Sequence, residues 1–420
     1  MTILRRAVLA GMIAPMVAGM AAAQPPSHNL VGAGGCQSSN CHGGATPLPE
    51  SQSRILGNEY KTWSVEDKHS LAYSKLAEPR GKRMADILKI RDAATDTRCT
   101  VCHEVGSPAK SLSDGVACEA CHGPAGDWLG THIQPNSHAD SVKRGMNDTK
   151  NLEVRAQTCL SCHLGSGDRA VDHELIAAGH SDLAFELRTF TFAQPSHHRE
   201  TKPTSGDTLP AVREWAIGQS VALTQGMQLL ATHAAKAWPE FSDLECYQCH
   251  HDLRADSWRI QRGYGNRKPG GLQVNLARFA VLRDLVAQAA PDRRATFESS
   301  LSRLDGLVSA HLDGGAEIAQ AAQAVERTAE ALTAKFLTLD FDAAAAQSIA
   351  QAIAADIQRI ADSGVNAAEQ ATMSLDALSS ALAGGQRKQQ AIAALYTYLE
   401  HPSLYNPTDF AAKFKAAANQ

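Results

Sequence analysis

Large aromatic side chains are scarce in this chain: tryptophan, tyrosine and phenylalanine together make up 5% of its 420 residues. Such side chains ordinarily dominate the core of a domain this long, so something other than protein has to fill part of the interior. Long apolar runs are missing too. After the first two dozen residues no stretch reaches the roughly 18 apolar residues of a membrane-spanning helix, so the mature chain is expected not to be transmembrane. An excess of one charge is also absent, with 40 Lys and Arg against 44 Asp and Glu, and that balance argues against nucleic acid as a partner. Methionine is rare: beyond residue 23 only Met84, Met146, Met227 and Met373 occur.

Cysteine is present in a strict pattern. Four copies of C-x-x-C-H stand at Cys99-Thr-Val-Cys102-His103, Cys118-Glu-Ala-Cys121-His122, Cys159-Leu-Ser-Cys162-His163 and Cys246-Tyr-Gln-Cys249-His250. A lengthened version, Cys36-Gln-Ser-Ser-Asn-Cys41-His42, precedes them. This is the pattern for covalent attachment of haem c. Two thiols add to the two vinyl groups of one porphyrin, and the histidine that follows turns its ring onto the iron. One isolated copy could equally be a zinc half-site or a redox dithiol, and Cys36 with Cys41 could form a local disulfide. Five pairs that use all ten cysteines, each followed at once by histidine, are produced by neither zinc sites nor disulfide frameworks. Five covalent haem c groups are expected, with His42, His103, His122, His163 and His250 as proximal ligands. Twelve further histidines against four methionines make histidine the expected ligand on the other face as well. Bis-histidine irons are low-potential and low-spin.

The start of the chain, basic at Arg5 and Arg6, then apolar, then small residues up to Gln24, reads as a signal peptide over residues 1–23. It predicts an exported protein, periplasmic or extracellular. Haem c is attached to an unfolded chain after export, so the general secretory route fits better than the twin-arginine route. The fold class expected is mainly α. Residues 24–270 should form a pentahaem cytochrome c domain of short helices and long loops, and residues 271–420 an alanine-rich helical bundle. Helices are expected over Glu59–Leu76, Met84–Ile90 and Ala211–Trp238 in the first part. In the second they are expected over Asn275–Ala290, Asp292–His311, Ala316–Leu337, Asp342–Asp362, Ala367–Ala383 and Gln386–Leu399, where Ile318, Ala322, Val325, Ala329 and Leu332 draw one apolar stripe. With so little protein per haem, the apoprotein is expected not to fold.

Trp63 with His69, the run Val116-Ala-Cys118-Glu-Ala-Cys121-His122-Gly-Pro-Ala125 with Trp128 and His132, and Val171-Asp-His173-Glu-Leu-Ile-Ala-Ala-Gly179-His180 followed by Phe185-Glu-Leu187 carry a resemblance. Over roughly Gly34 to Arg259 the chain resembles the multihaem c-type cytochrome family that includes the tetrahaem electron acceptor of hydroxylamine oxidoreductase. The resemblance implies distal ligands at His69, His132, His173 and His180. It implies a fifth at His197, with His198, His233, His251 and His28 as alternatives; His138, His311 and His401 read as solvent-exposed. It also implies electron carriage through haems packed in stacked and edge-on pairs. Five motifs instead of four, the long first loop and the helical tail depart from the family, and no C-x-x-C-K motif of a lysine-ligated catalytic haem is present. The function implied is electron transfer between redox protein partners, or from a quinol-oxidising membrane complex. The alternatives are an enzyme acting on a small nitrogen or sulfur compound at a five-coordinate haem, or a haem-bearing subunit of a larger complex.

Overall fold

One helix is apolar around most of its circumference, and such a helix must be buried on all sides. In the computed structural model it runs over Pro210–Lys236 and buries Trp215, Ile217, Val221, Leu223, Met227 and Leu230 among others. Proline at its first turn suits a position whose N–H has no intrahelical partner. Residues 29–53, 55–105, 114–167, 169–199, 208–251, 253–258, 260, 263, 270–310, 313–383 and 385–420 are described. The expected signal peptide, His28 and His311 lie outside them.

The architecture is mainly α; the described residues show only isolated bridges, such as Val105 with Val116. Nine short helices come first: α1 (Glu59–Glu66), α2 (Pro79–Leu88), α3 (Thr97–His103), α4 (Cys118–His122), α5 (Leu129–His132), α6 (His138–Lys143), α7 (Leu152–His163), α8 (His173–Ala178) and α9 (Leu187–Ala193). The long helix is α10. Among the described residues seven more follow: α11 (Leu282–Ala289), α12 (Pro291–Ala310), α13 (Gly315–Thr338), α14 (Ala343–Asp362), α15 (Val365–Ala381), α16 (Gln386–Leu399) and α17 (Pro407–Ala418). The expected stripe from Ile318 to Leu332 is buried on α13. No helix among the described residues is long and apolar enough to cross a membrane.

The single helix expected over Glu59–Leu76 is broken. Asp67 leaves the helical conformation after α1, and its side chain accepts the His69 N–H to open a short 3-10 turn, Lys68–Leu71. Local capping by aspartate competes with continuing a helix, and here it re-aims His69.

One large apolar core gathers side chains from α7, α9, α10 and all seven helices after it, from Ala156 to Ala417. α10 packs most extensively on α13. Several polar groups buried inside this core pair with one another: Trp215 donates to Ser374 Oγ at 3.1 Å, Thr333 to Ser220 Oγ at 2.8 Å and Gln225 to the Gly165 carbonyl at 2.7 Å. Arg155 and Arg188 both pair with buried Glu214, which ties α7 and α9 to α10. Residues before α7 contribute nothing to that core. Their own apolar cluster is Tyr73, Leu76, Ala85 and Ala93.

Candidate functional site

Three of the five motifs close a helix. α3, α4 and α7 each end on the histidine of their motif, so backbone hydrogen bonding fixes the spacing of both thiols and the ring. The fifth, at Cys246–Gln248, is a 3-10 turn, and the lengthened first motif is a loop. No disulfide joins Cys36 to Cys41 or any other pair of the ten cysteines.

The structure sets each motif histidine against one other histidine. Ring centres of His42 and His132 are 6.3 Å apart. Those of His103 and His180 are 6.4 Å apart, of His122 and His197 6.4 Å, of His163 and His69 6.1 Å, and of His250 and His173 6.0 Å. Two imidazoles bound to opposite faces of one metal, at about 2 Å each with about 1.1 Å from nitrogen to ring centre, have centres about 6.2 Å apart. All five separations fit that requirement, and every histidine pointed out by resemblance takes part. The ring planes are nearly perpendicular in three pairs, at 88°, 88° and 89°, and closer to parallel in the other two, at 16° and 32°.

Second contacts hold these rings by the other nitrogen. Nδ1 of His103 donates to the Ala72 carbonyl at 2.8 Å, His132 to Leu129 at 2.5 Å, His180 to Ser181 at 2.8 Å and His197 to Pro195 at 3.2 Å. In two cases the acceptor is a carboxylate: Glu59 Oε2 at 3.0 Å from His42 Nδ1, and Asp67 Oδ1 at 2.9 Å from His69 Nδ1. Each contact leaves Nε2 for a metal, the arrangement that metal-binding histidines use. His138 shows the contrast, because its Nε2 is spent on Asp148 at 3.0 Å. His233 also meets a carboxylate through Nδ1, that of Asp243 at 2.7 Å, and His198 packs edge-on against His197.

Charge follows the same division. Burial pushes His122 down to about 4, with a smaller contribution from His197, and burial likewise pushes His163 down to about 4, with a contribution from His69. Both rings are therefore neutral and carry the lone pair a metal needs. His42 and His69 are raised by their hydrogen bonds to Glu59 and Asp67. Burial alone would raise Asp67, but the hydrogen bonds from His69 and Gln194 outweigh it and bring it down to about 2. Its second oxygen accepts from Gln194 Nε2 at 2.9 Å.

The sites adjoin one another in a definite sequence. Cys36 of the first motif lies beside Cys118 of the third, and Cys162 of the fourth beside Cys102 of the second. Cys121 of the third interacts electrostatically with Cys159 and Cys162 of the fourth. α8 starts at His173 and is capped by Gly179, so one short helix carries both the partner of the fifth motif and, at His180, that of the second. In space the motifs run first, third, fourth, second, fifth. Cys41 at one end and Cys246, Cys249 and His250 at the other are exposed.

Residues other than the motif cysteines and histidines do much of the positioning, and no spacing rule points to them. Glu119, buried inside the third motif, accepts from Val31, Gly32 and Ala125 N–H groups and so pins the segment leading to Cys36 onto α4. Trp63 donates to the Val116 carbonyl at 3.0 Å, and Val116 N–H to the His69 carbonyl at 2.9 Å. Gly115, at φ +57°, lies where any Cβ would come within 2.5 Å of that same carbonyl, so only glycine allows the approach.

A family model described as cytochrome c554 and c-prime matches residues 36–123. The match opens on the first cysteine of the lengthened motif and closes just beyond His122, so it spans the first three motifs. It supports a c-type cytochrome with covalently bound haem c, working in electron transfer. No curated protein and no solved structure matches the chain.

Proposed function

We propose that this protein is an exported five-haem cytochrome c that carries electrons between redox partners and leaves no iron open to a small substrate. The observation that carries this reading is the set of five histidine pairs, each holding one motif histidine and each at the separation that a single metal between two imidazoles requires. When bound, haem supplies one-electron chemistry at its iron. The chain's part is to fix and insulate those positions. His42, His103, His122, His163 and His250 would hold one face of each iron, and His132, His180, His197, His69 and His173 the other. With both faces held by protein, nitrite, hydroxylamine or nitric oxide finds no vacant coordination position, and this favours the carrier over an enzyme of nitrogen or sulfur chemistry.

The row of motifs from first to fifth gives two exposed ends, at Cys41 and at Cys246 to His250, where redox partners or a quinol-oxidising membrane complex would exchange electrons. Partner specificity would then belong to the surfaces around those ends. The test is made on purified holoprotein. Intact mass should show five covalent haems, and the reduced and oxidised spectra should stay unchanged on adding cyanide or nitric oxide. Four haems would remove the first motif from the set, and a cyanide-dependent spectral change would turn the reading toward the enzyme.

A further inference from the structure

We propose that Glu59 and Asp67 are positioning residues that set the redox potentials of two haems, the first through His42 and the fourth through His69. The proposal deepens the haem reading above and rests on it. A carboxylate accepting the Nδ1 proton draws that proton away from the ring and gives the imidazole part of an anion's character. Such a ring donates more strongly to the iron and stabilises the ferric over the ferrous state, which lowers the potential. A neutral carbonyl does this less. At the second site both acceptors are carbonyls, those of Ala72 and Ser181, and at the third site His197 uses the carbonyl of Pro195.

Both carboxylates are built in. The other oxygen of Glu59 accepts the Leu56 N–H at 2.8 Å, so the side chain is clamped between the loop of the first motif and α1. Asp67 is 6% exposed, caps the turn that carries His69, and is held from behind by Gln194. Gln194 directly precedes Pro195 and His197, so the residue that braces the fourth site belongs to the loop serving the third. In spatial order the anionic ligands fall on the first and third of five positions, so the potentials along the row should be uneven.

The experiment is a spectroelectrochemical titration of the loaded protein and four variants, with intact mass and spin state checked on each. Glu59→Gln should move one of the five reduction waves to higher potential, and Asp67→Asn should move a different one in the same direction. Glu59→Asp keeps the charge and should hold its wave near the wild-type position. Gln194→Leu replaces neither a ligand nor a carboxylate, but by removing the hydrogen bond to Asp67 it frees that carboxylate to accept more strongly from His69, so it should move the Asp67-dependent wave the opposite way, to lower potential. Opposite signs from Asp67→Asn and Gln194→Leu are beyond a merely structural effect, and Gln194→Leu remains decisive if Asp67→Asn fails to load haem. Waves that stay in place, or five waves moving together, in variants that keep five low-spin haems would overturn the proposal and leave the haem reading intact. Loss of low-spin haem in the wild type would sink the reading itself.

Discussion

The chain before α7 and the chain from α7 onward are held together in different ways. From residue 29 to residue 151 the one apolar cluster among the described residues is Tyr73, Leu76, Ala85 and Ala93, with Ala33, Ala117, Ala125 and Trp128 buried apart from it. Order there comes from local caps, from Glu119 and Trp63 bridging between loops, and from histidines that meet at a distance suited to a metal. From Ala156 to Ala417 one continuous core of Leu, Ile, Val, Phe and Ala is closed by helix packing. The first region, together with the motif segments of α7, α8 and Cys246 to His250, has rings and thiols arranged around a group that protein does not supply; α10 and the helices packed on it close on their own apolar side chains. A chain can thus place its cofactor-dependent and self-sufficient parts side by side, with α7 and α10 as the seam.

The largest effect that would sharpen this contrast is loss of the cofactor. If the protein is produced where haem c cannot be attached, hydrogen exchange should find residues 29–151 unprotected while α10 to α17 keep protection; equal protection in both regions would erase the distinction. Next in size is Trp215→Ala, which empties a fully buried site in α10 and orphans the Ser374 hydroxyl. It should cost about 3–5 kcal/mol in denaturant unfolding of the helical region and leave the haem spectra unaltered. Glu119→Gln should cost roughly 1–3 kcal/mol, because one amide oxygen replaces a charged acceptor shared by three N–H groups. Its effect should appear as faster exchange at Val31, Gly32 and Ala125.

The legibility of the sequence followed the same seam. Helices α12 to α16 could be read almost to their ends because alanine-rich stretches with apolar residues every three or four positions have one stable solution. The cysteine and histidine motifs stood out because attachment chemistry would fix their spacing. α17 went unread, and so did the place of α10, whose period predicted a helix but whose packing on α13 is a matter of tertiary contact. His69 was legible as a ligand candidate only by resemblance. What turns it toward His163 is the break at Asp67, a capping choice that helix propensity across Glu59–Leu76 outvoted. Glu59, Asp67, Glu119 and Gln194 were invisible because long-range hydrogen bonds leave no periodic trace.

A smaller effect separates the regions by pH. Burial raises Glu186 and Glu369 to about 7, and Asp284 to about 6, all on the helical side. An acid whose folded value lies above its unfolded value of about 4 stabilises the fold fully below that value, and the contribution fades as pH rises through 6 to 7. Thermal unfolding of the helical region should therefore occur at lower temperature at pH 8 than at pH 5. Glu186→Gln with Glu369→Gln should flatten that slope; an unchanged slope would show that these carboxylates do not govern it.

The central claim, that each of the five histidine pairs brackets one iron, is tested most directly by electron paramagnetic resonance of the fully oxidised holoprotein with spin quantitation. In low-spin ferric haem the angle between the two imidazole planes sets the anisotropy: near-parallel planes give a rhombic signal and near-perpendicular planes a single feature at large g. The ring planes here predict two rhombic irons, at His42 with His132 and His250 with His173, and three large-g irons, with no high-spin signal. A high-spin ferric signal amounting to one iron or more, converted to low spin by cyanide, would contradict the account.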